Sequence, residues 1–260
     1  MGLLDGRNAL VFGVANDRSI AWGIARALHE QGATVGFSSV ESLLEKHVRP
    51  LAASIGSTFV EPCDVRDDAA VKAVFDRWGA EVGGLDILVH ALAFASREDL
   101  DGAFVDTSRA GFALALDVSA YSLVALAREA RPLLRPGASV ITLSYYGAEK
   151  VVAHYNVMGV AKAALEACVR YLAADLGPSG VRVNAISAGP VRTVAAHGIA
   201  GFRTLYTSFR DVAPLRTNVT IDDVAGTAVW LASDLSRQVT GEVVHVDGGF
   251  HVVGVPTPEG

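Results

Sequence analysis

The chain is poor in the features that would tie it to several functional classes. It has only two cysteines in 260 residues, Cys63 and Cys168. Two distant cysteines make neither a metal motif nor a disulfide framework, so both read as buried thiols and the setting as reducing cytoplasm. No uncharged apolar run approaches the roughly 18 residues that a membrane span needs, and no membrane association is expected. The formal charge of −6 argues against general nucleic-acid binding. Linker-like segments, low-complexity tracts and short internal repeats are also lacking. The first residues run almost directly into a strand, so no signal peptide is expected. Gly6 stands where a myristoylation signal has Ser or Thr.

What is present is a core. Apolar residues make up 51% of the chain and the mean hydropathy is +0.35. Short β-branched runs alternate with helical stretches. The runs at 8–12, 34–37, 58–62, 87–91, 139–144, 181–186 and 243–246 read as strands. Segments 21–31, 69–82, 111–134, 155–176 and 222–233 read as helices. This alternation predicts an α/β protein with a parallel sheet covered on both faces. Gly177-Pro178 closes one helix, and Asp222-Asp223 puts acids at the start of another. The one long irregular stretch runs from Gly189 to about Thr220, and such loops are usually lids or binding segments. The economical reading is one domain over 1–260 with a substrate loop at about 191–220.

The chemistry concentrates in Ser144-Tyr145-Tyr146-Gly147 and the segment from Tyr155 to Lys162. Seven helical residues span nearly two turns, so Tyr155 and Lys162 leave one face. A phenol and an ammonium on one face can polarise a carbonyl oxygen and hold a ribose. The one-turn pattern Tyr-x-x-x-Lys would put its lysine at Gly159. Tyr146 and Lys150 match that spacing, but they follow the strand at once and include a glycine, which disfavours a helical turn. Thr142 reads as a sheet residue, and His90 as a satisfied core histidine.

A second segment reads as a nucleotide turn. The first strand runs into Gly13, and a helix starts near Ser19, Ile20 and Ala21. A strand, a glycine turn and a helix N-terminus can bind a pyrophosphate through free N–H groups and the helix dipole. A plain turn with a serine cap would look similar. No Lys or Arg occurs from residue 33 to 45, which favours NADH over NADPH. Glu41 reads either as a ribose ligand or as a first-turn acid. Asp64, next to Val65, reads either as an adenine neighbour or as a turn cap.

Taken together, Ser144-Tyr145, then Tyr155-Asn156-Val157-Met158-Gly159-x-Ala161-Lys162, then Asn184 through Thr193 closely resemble the NADH-dependent enoyl-acyl-carrier-protein reductases. These are a divergent branch of the short-chain dehydrogenase/reductase superfamily. The likeness extends to Gly13, Ser19-Ile20-Ala21, Asp64-Val65 and 241–249, nearly the whole chain. It implies a Rossmann-like doubly wound parallel sheet of about seven strands. It also implies hydride transfer from NADH to the β-carbon of a trans-2-enoyl thioester in fatty-acid elongation. Tyr155 is then expected to donate to the thioester oxygen, Lys162 to hold the nicotinamide ribose, and Tyr145 to flank the substrate. The Lys162 charge is expected to make the phenol more acidic. Cofactor contacts are expected from Gly13, Ser19, Ile20, Asp64, Val65, Leu92, Val191 and Thr193. Substrate contacts are expected from Ala93, Ala95, Ala195, Ala196, Ile199, Phe202 and Leu205, with no metal.

The resemblance further implies a cytoplasmic homotetramer that acts on acyl-carrier protein. Two departures from the family stand out. Ala91-Leu92-Ala93 replaces the usual Ser-Ile-Gly, so the Ala93 methyl is expected to narrow the site of diphenyl-ether inhibitors. Ala200 replaces a carrier-facing lysine, leaving Arg192, Arg203, Arg210 and Arg216 as a basic patch or as plain solvated charges. Two rivals are weighed: a ketone or alcohol dehydrogenase, and a nucleotide sensor without activity. The first would want a serine near 142 and a lysine at 159. The second would be free to lose the phenol, the lysine or the nicotinamide turn, and all three are present.

Overall fold

The structure is a computed structural model that describes residues 2–194 and 202–255. Its frame is the strand alternation. In β1 (Asn8–Phe12), Ala9 and Val11 join one apolar layer while Leu10 and Phe12 join the other, as successive side chains of a strand must. The further strands are β2 (Thr34–Ser39), β3 (Val60–Pro62), β4 (Leu85–His90), β5 (Leu134–Ser144), β6 (Arg182–Ala188) and β7 (Val243–Val246). They form one sheet in the order β3-β2-β1-β4-β5-β6-β7. Every pairing is parallel. The chain builds outward from β1 to β3, then from β4 to β7. The order therefore reverses between β1 and β4, and ligands of such sheets sit at that crevice beyond the strand C-termini.

The helices cover both faces. They are α1 (Ile20–Glu30), α2 (41–54, with a π turn at Leu44–Val48), α3 (Asp68–Glu81), α4 (Arg109–Ala130, with a π turn at Asp117–Tyr121), α5 (Asn156–Leu176), α6 (Phe202–Val212) and α7 (Ile221–Ala232). One core lies under α1, α2 and α7, around Val11, Ile24, Phe37 and Val89. The other lies under α3, α4 and α5, around Phe12, Trp78, Leu123 and Leu165. By length and composition α4 is apolar enough to cross a membrane, and half of its most apolar window is buried in this fold. Thr220 starts α7 with a capping box closed by Asp223, a device worth about 1 kcal/mol.

Four boundaries differ from the sequence reading. Strand β5 begins at Leu134 rather than at 139, because Leu134, where the expected helix 111–134 ends, pairs with Leu85 across a register shift. Residues 41–54 form a helix for which the sequence reading offered only its first-turn acid, Glu41. The stretch expected to be an irregular loop contains α6, whose Thr, Ser, Tyr and Phe residues are indifferent helix formers. Finally, Tyr155 is not inside its helix. It is the residue before the first turn, flanked by positive φ at His154 (61°) and Asn156 (39°).

Candidate active site

The catalytic candidates meet at the C-terminal end of β5. Tyr145 leaves the strand in extended backbone (φ −150°, ψ 148°). Its ring meets that of Tyr155 edge-on, with centroids 4.9 Å apart and planes at 72°. The Tyr155 backbone is set from outside the helix, since Asn156 Nδ2 donates to the carbonyls of Leu100 (3.0 Å) and Gly102 (3.2 Å). Close packing of two glycines completes the corner. A Cβ on Gly147 would stand 2.4 Å from Tyr155 Cδ1, and one on Gly159 would stand 2.8 Å from the Gly147 oxygen. A lysine at 159, as the one-turn dyad requires, therefore does not fit. Lys162, the expected lysine, lies about one turn further along α5.

Lys162 is buried at 5% exposure, and its Nζ donates to the Leu143 carbonyl at 2.7 Å. Burial lowers its pKa to about 8, with the Glu166 carboxylate opposing the drop. Both phenols move the other way. Burial pushes Tyr145 up to about 12. Tyr155 is raised further by burial, then by Tyr145 and Glu166. This corrects the expected acidification: removal from water and the neighbouring Tyr145 and Glu166 all raise the phenol, and it keeps its proton. A neutral, retained O–H is a hydrogen-bond donor.

The decoy pair is elsewhere. Tyr146 lies in a short 3₁₀ turn with its ring edge-on to Phe250 at 5.8 Å, and Lys150 is exposed. His90 is fully buried between the Thr142 and Ser122 hydroxyls, each at 2.8 Å. Burial lowers its pKa to about 3, so it is the satisfied neutral core histidine expected, and Thr142 is its partner in the sheet. Cys63 is buried, with its thiol raised to about 11 by burial. Cys168 is half-buried rather than buried and packs at the edge of the second core.

The nucleotide turn lies at the same sheet edge. Gly13 has φ +101°, and a Cβ there would stand 2.1 Å from the Ala91 oxygen, so only glycine lets the turn pass this close to the end of β4. Leu92 lies on its other side, 3.2 Å from the same Cβ position. Ser19 caps α1, accepting from Trp22 N at 3.4 Å while its hydroxyl donates to Asn16 O at 2.7 Å. Ser39 Oγ ties the end of β2 to Val14 O at 3.1 Å. The first turn of α1 holds no acid, and Ile20 packs on the first core. These features fit a dinucleotide: a glycine cradle, a helix N-terminus aimed at an anion, and an ammonium for a diol.

The remaining candidates are distributed as follows. Asp64 accepts from Arg66 N at 3.1 Å and pairs with the Arg66 guanidinium, which holds its carboxyl below the usual range; these are the contacts of the turn-cap reading. Val65 packs on the second core. Glu41 is the exposed first-turn acid of α2. Ala93 is exposed, while Ala95 packs against Ala115, Val157 and Ala161 beside the start of α5. Val191 is buried, and its carbonyl accepts from Thr193 N at 2.9 Å. Arg192 lies over the Tyr206 ring at 4.4 Å, linking this turn to α6. Leu205 is half-buried on α6. Ala195, Ala196 and Ile199, like Ala200, fall outside the described residues, and the Phe202 side chain is not described.

Sequence reasoning missed three polar links. Ser144 Oγ donates to Glu166 Oε1 at 2.5 Å. His245 Nε2 meets Glu149 Oε1 at 2.8 Å. The His245 and His251 rings stack at 3.9 Å. Only Glu166 carried a usable signal, because it lies one turn beyond Lys162 on the same helix face. Among the described residues no cluster of His, Cys, Asp and Glu could hold a metal ion.

A doubly wound parallel sheet with a glycine turn, a serine-capped helix after it, and a tyrosine pair with a buried lysine near the C-terminal end of β5 defines a nucleotide-dependent oxidoreductase of the short-chain dehydrogenase/reductase class. The family model described as Enoyl-(Acyl carrier protein) reductase matches residues 13–251, and the chain belongs to that family. It is 54% identical over 257 residues to the Aquifex aeolicus NADH enoyl-acyl-carrier-protein reductase FabI, covering 98% of this chain and 95% of the relative. The Bacillus cereus enzyme of that name is 52% identical over 256 residues, covering 98% and 100%. A crystal structure of the Bacillus cereus enoyl-acyl carrier protein reductase with NADP+ and an indole naphthyridinone superposes with a TM-score of 0.96 at 52% identity, covering 98% and 100% of the two chains. The Anaplasma phagocytophilum reductase in complex with NAD gives 0.94 at 50% identity, covering 99% and 96%.

Proposed function

We propose that this chain reduces trans-2-enoyl thioesters carried on acyl-carrier protein, with NADH as reductant, in fatty-acid elongation. NADH, when bound, supplies the hydride that adds to the β-carbon. In this reading the turn from Gly13 to Ile20, with Ser19, holds the pyrophosphate. Asp64 and Val65 face the adenine. Leu92, Val191 and Thr193 border the nicotinamide, and Lys162 holds the ribose hydroxyls. As the β-carbon gains hydride, negative charge develops on the thioester oxygen. Tyr155 donates its O–H to that oxygen, and one such donor can be worth about 3–4 kcal/mol. The retained phenolic proton suits this role, since a phenolate would repel the developing charge. Tyr145 braces the Tyr155 ring and walls the substrate. Ala93, Ala95, Ala195, Ala196, Ile199, Phe202 and Leu205 line the acyl chain. The basic patch on and before α6 meets the acidic carrier protein, and the enzyme works as a single-domain, cytoplasmic homotetramer.

The observation that carries this reading is the corner where the half-buried Tyr145 and Tyr155 rings meet near the buried Lys162, and where Gly159 leaves no room for the ordinary dyad lysine. The test is NADH absorbance with crotonyl and longer enoyl thioesters beside a 3-ketoacyl thioester. Oxidation of NADH by the enoyl thioesters is expected. Oxidation with the ketone alone would make the chain a ketone reductase, and tight NADH binding without turnover would make it a sensor.

A further inference from the structure

We propose that Glu166 is a positioning residue of this site: its buried carboxylate clamps Ser144 and supplies the counter-charge that keeps Lys162 an ammonium. The inference rests on the reductase reading above and adds a residue to it.

Lys162 and Glu166 are four apart on α5 and therefore neighbours on one face. Both are buried, at 5% and 7% exposure. Lys162 Nζ donates to the Leu143 carbonyl at 2.7 Å, and Ser144 Oγ donates to Glu166 Oε1 at 2.5 Å. Two residues of the helix thus grip two consecutive residues at the end of β5. The next residue in the chain is Tyr145, whose ring meets Tyr155. A carboxylate in such a place is costly unless it is paired. The flanking positions Leu165 and Val169 show what the core otherwise takes.

The charge state of Lys162 decides how many donors the site offers. An ammonium has three N–H groups and a neutral amine two. Leu143 takes one, so the ammonium leaves two for a ribose diol and the amine only one. Burial drives the lysine toward the amine, and Glu166 opposes it. Burial likewise raises the Glu166 carboxyl, which the Ser144 hydroxyl pulls back; Glu149 raises it further, and His245 and Arg170 lower it. The other ionisable groups around the pair are His90 on β4, neutral in its buried pocket, and Tyr155.

The chain has four lysines, Lys46, Lys72, Lys150 and Lys162, and the first three are exposed. Protein labelled with [ε-13C]lysine therefore allows Lys162 to be titrated directly by NMR without cofactor or substrate. In Glu166→Gln the Lys162 midpoint is expected to fall by about one pH unit, the size of losing a nearby opposite charge. The alkaline limb of kcat/KM for a crotonyl thioester should move the same way, and Glu166→Asp should recover part of both. Ser144→Ala should lower kcat, because Tyr145 loosens. An unchanged midpoint in Glu166→Gln overturns the counter-charge, and full kcat in Ser144→Ala overturns the clamp. If Glu166→Gln does not fold, the neutral and apolar Glu166→Met decides: a Lys162 midpoint equal to wild type in it overturns the proposal. A wild-type protein inert toward enoyl thioesters would defeat the reductase reading, while the titration would still decide Glu166.

Discussion

The turn after β1 and the segment after β5 stand at the same edge of one sheet, yet they are built by opposite means. Around Gly13 and Ser19 the work is done by main chain: a positive φ, a serine cap and a helix N-terminus free of acids. Around Tyr145, Tyr155, Lys162 and Glu166 it is done by ionisable side chains in a dry corner, and every one of them is shifted. On the proposed function, the difference follows from the task. A pyrophosphate arrives fully charged, and fixed N–H dipoles suffice. A thioester oxygen becomes charged only as the reaction proceeds, so its donors must be held in place and out of water beforehand.

Four experiments press on that contrast. Tyr155→Phe should lower kcat about 100- to 1,000-fold while leaving NADH affinity nearly intact, as fluorescence titration would show; full turnover would mean that the dry corner is not where charge is met. Gly13→Ala should act on the other region. Its methyl would collide with the Ala91 carbonyl in a left-handed backbone, a strain of about 3 kcal/mol that urea unfolding would register together with weaker NADH binding. Normal stability and affinity there would deprive the main-chain turn of its role.

The pH dependence separates the regions more gently. The folded pKa of Lys162 is lowered to about 8, so its ammonium is intact below that pH and is lost as pH rises through it. Activity should hold below pH 8 and fall about ten-fold by one pH unit above the midpoint, while the raised phenols stay protonated. A limb near the ordinary lysine value would show Lys162 to be solvated. The smallest effect is expected for Ala93→Gly, which should tighten a diphenyl-ether inhibitor about four-fold, the worth of one methyl; an unchanged inhibition constant would sink that reading.

How far the sequence could be read depended on the range of the forces involved. Each expected strand lies on a sheet strand because β-branched runs between turn residues report local burial. Strand β5 extends beyond the run at 139–144 because Leu134 pairs with Leu85, a contact between segments far apart in the chain. Helix α6 was read as loop because its residues have little intrinsic helicity; Phe209, buried and stacked on Phe250 at 4.7 Å, anchors it. Tyr155 was assigned to the helix it precedes, since spacing alone cannot show the bonds by which Asn156 holds the turn to Leu100 and Gly102.

By itself the sequence determined the layered α/β plan, the glycine turn, and the absence of the one-turn dyad lysine at Gly159. Those depend on residue type and spacing, which the chain carries locally. Tertiary structure alone decided the acidities and the anchoring of the corner: a phenol pushed up rather than down, a lysine drawn toward neutrality, and a glutamate enlisted beside it. Such properties arise from how much water the packed neighbours exclude, and the excluding residues come from distant parts of the chain.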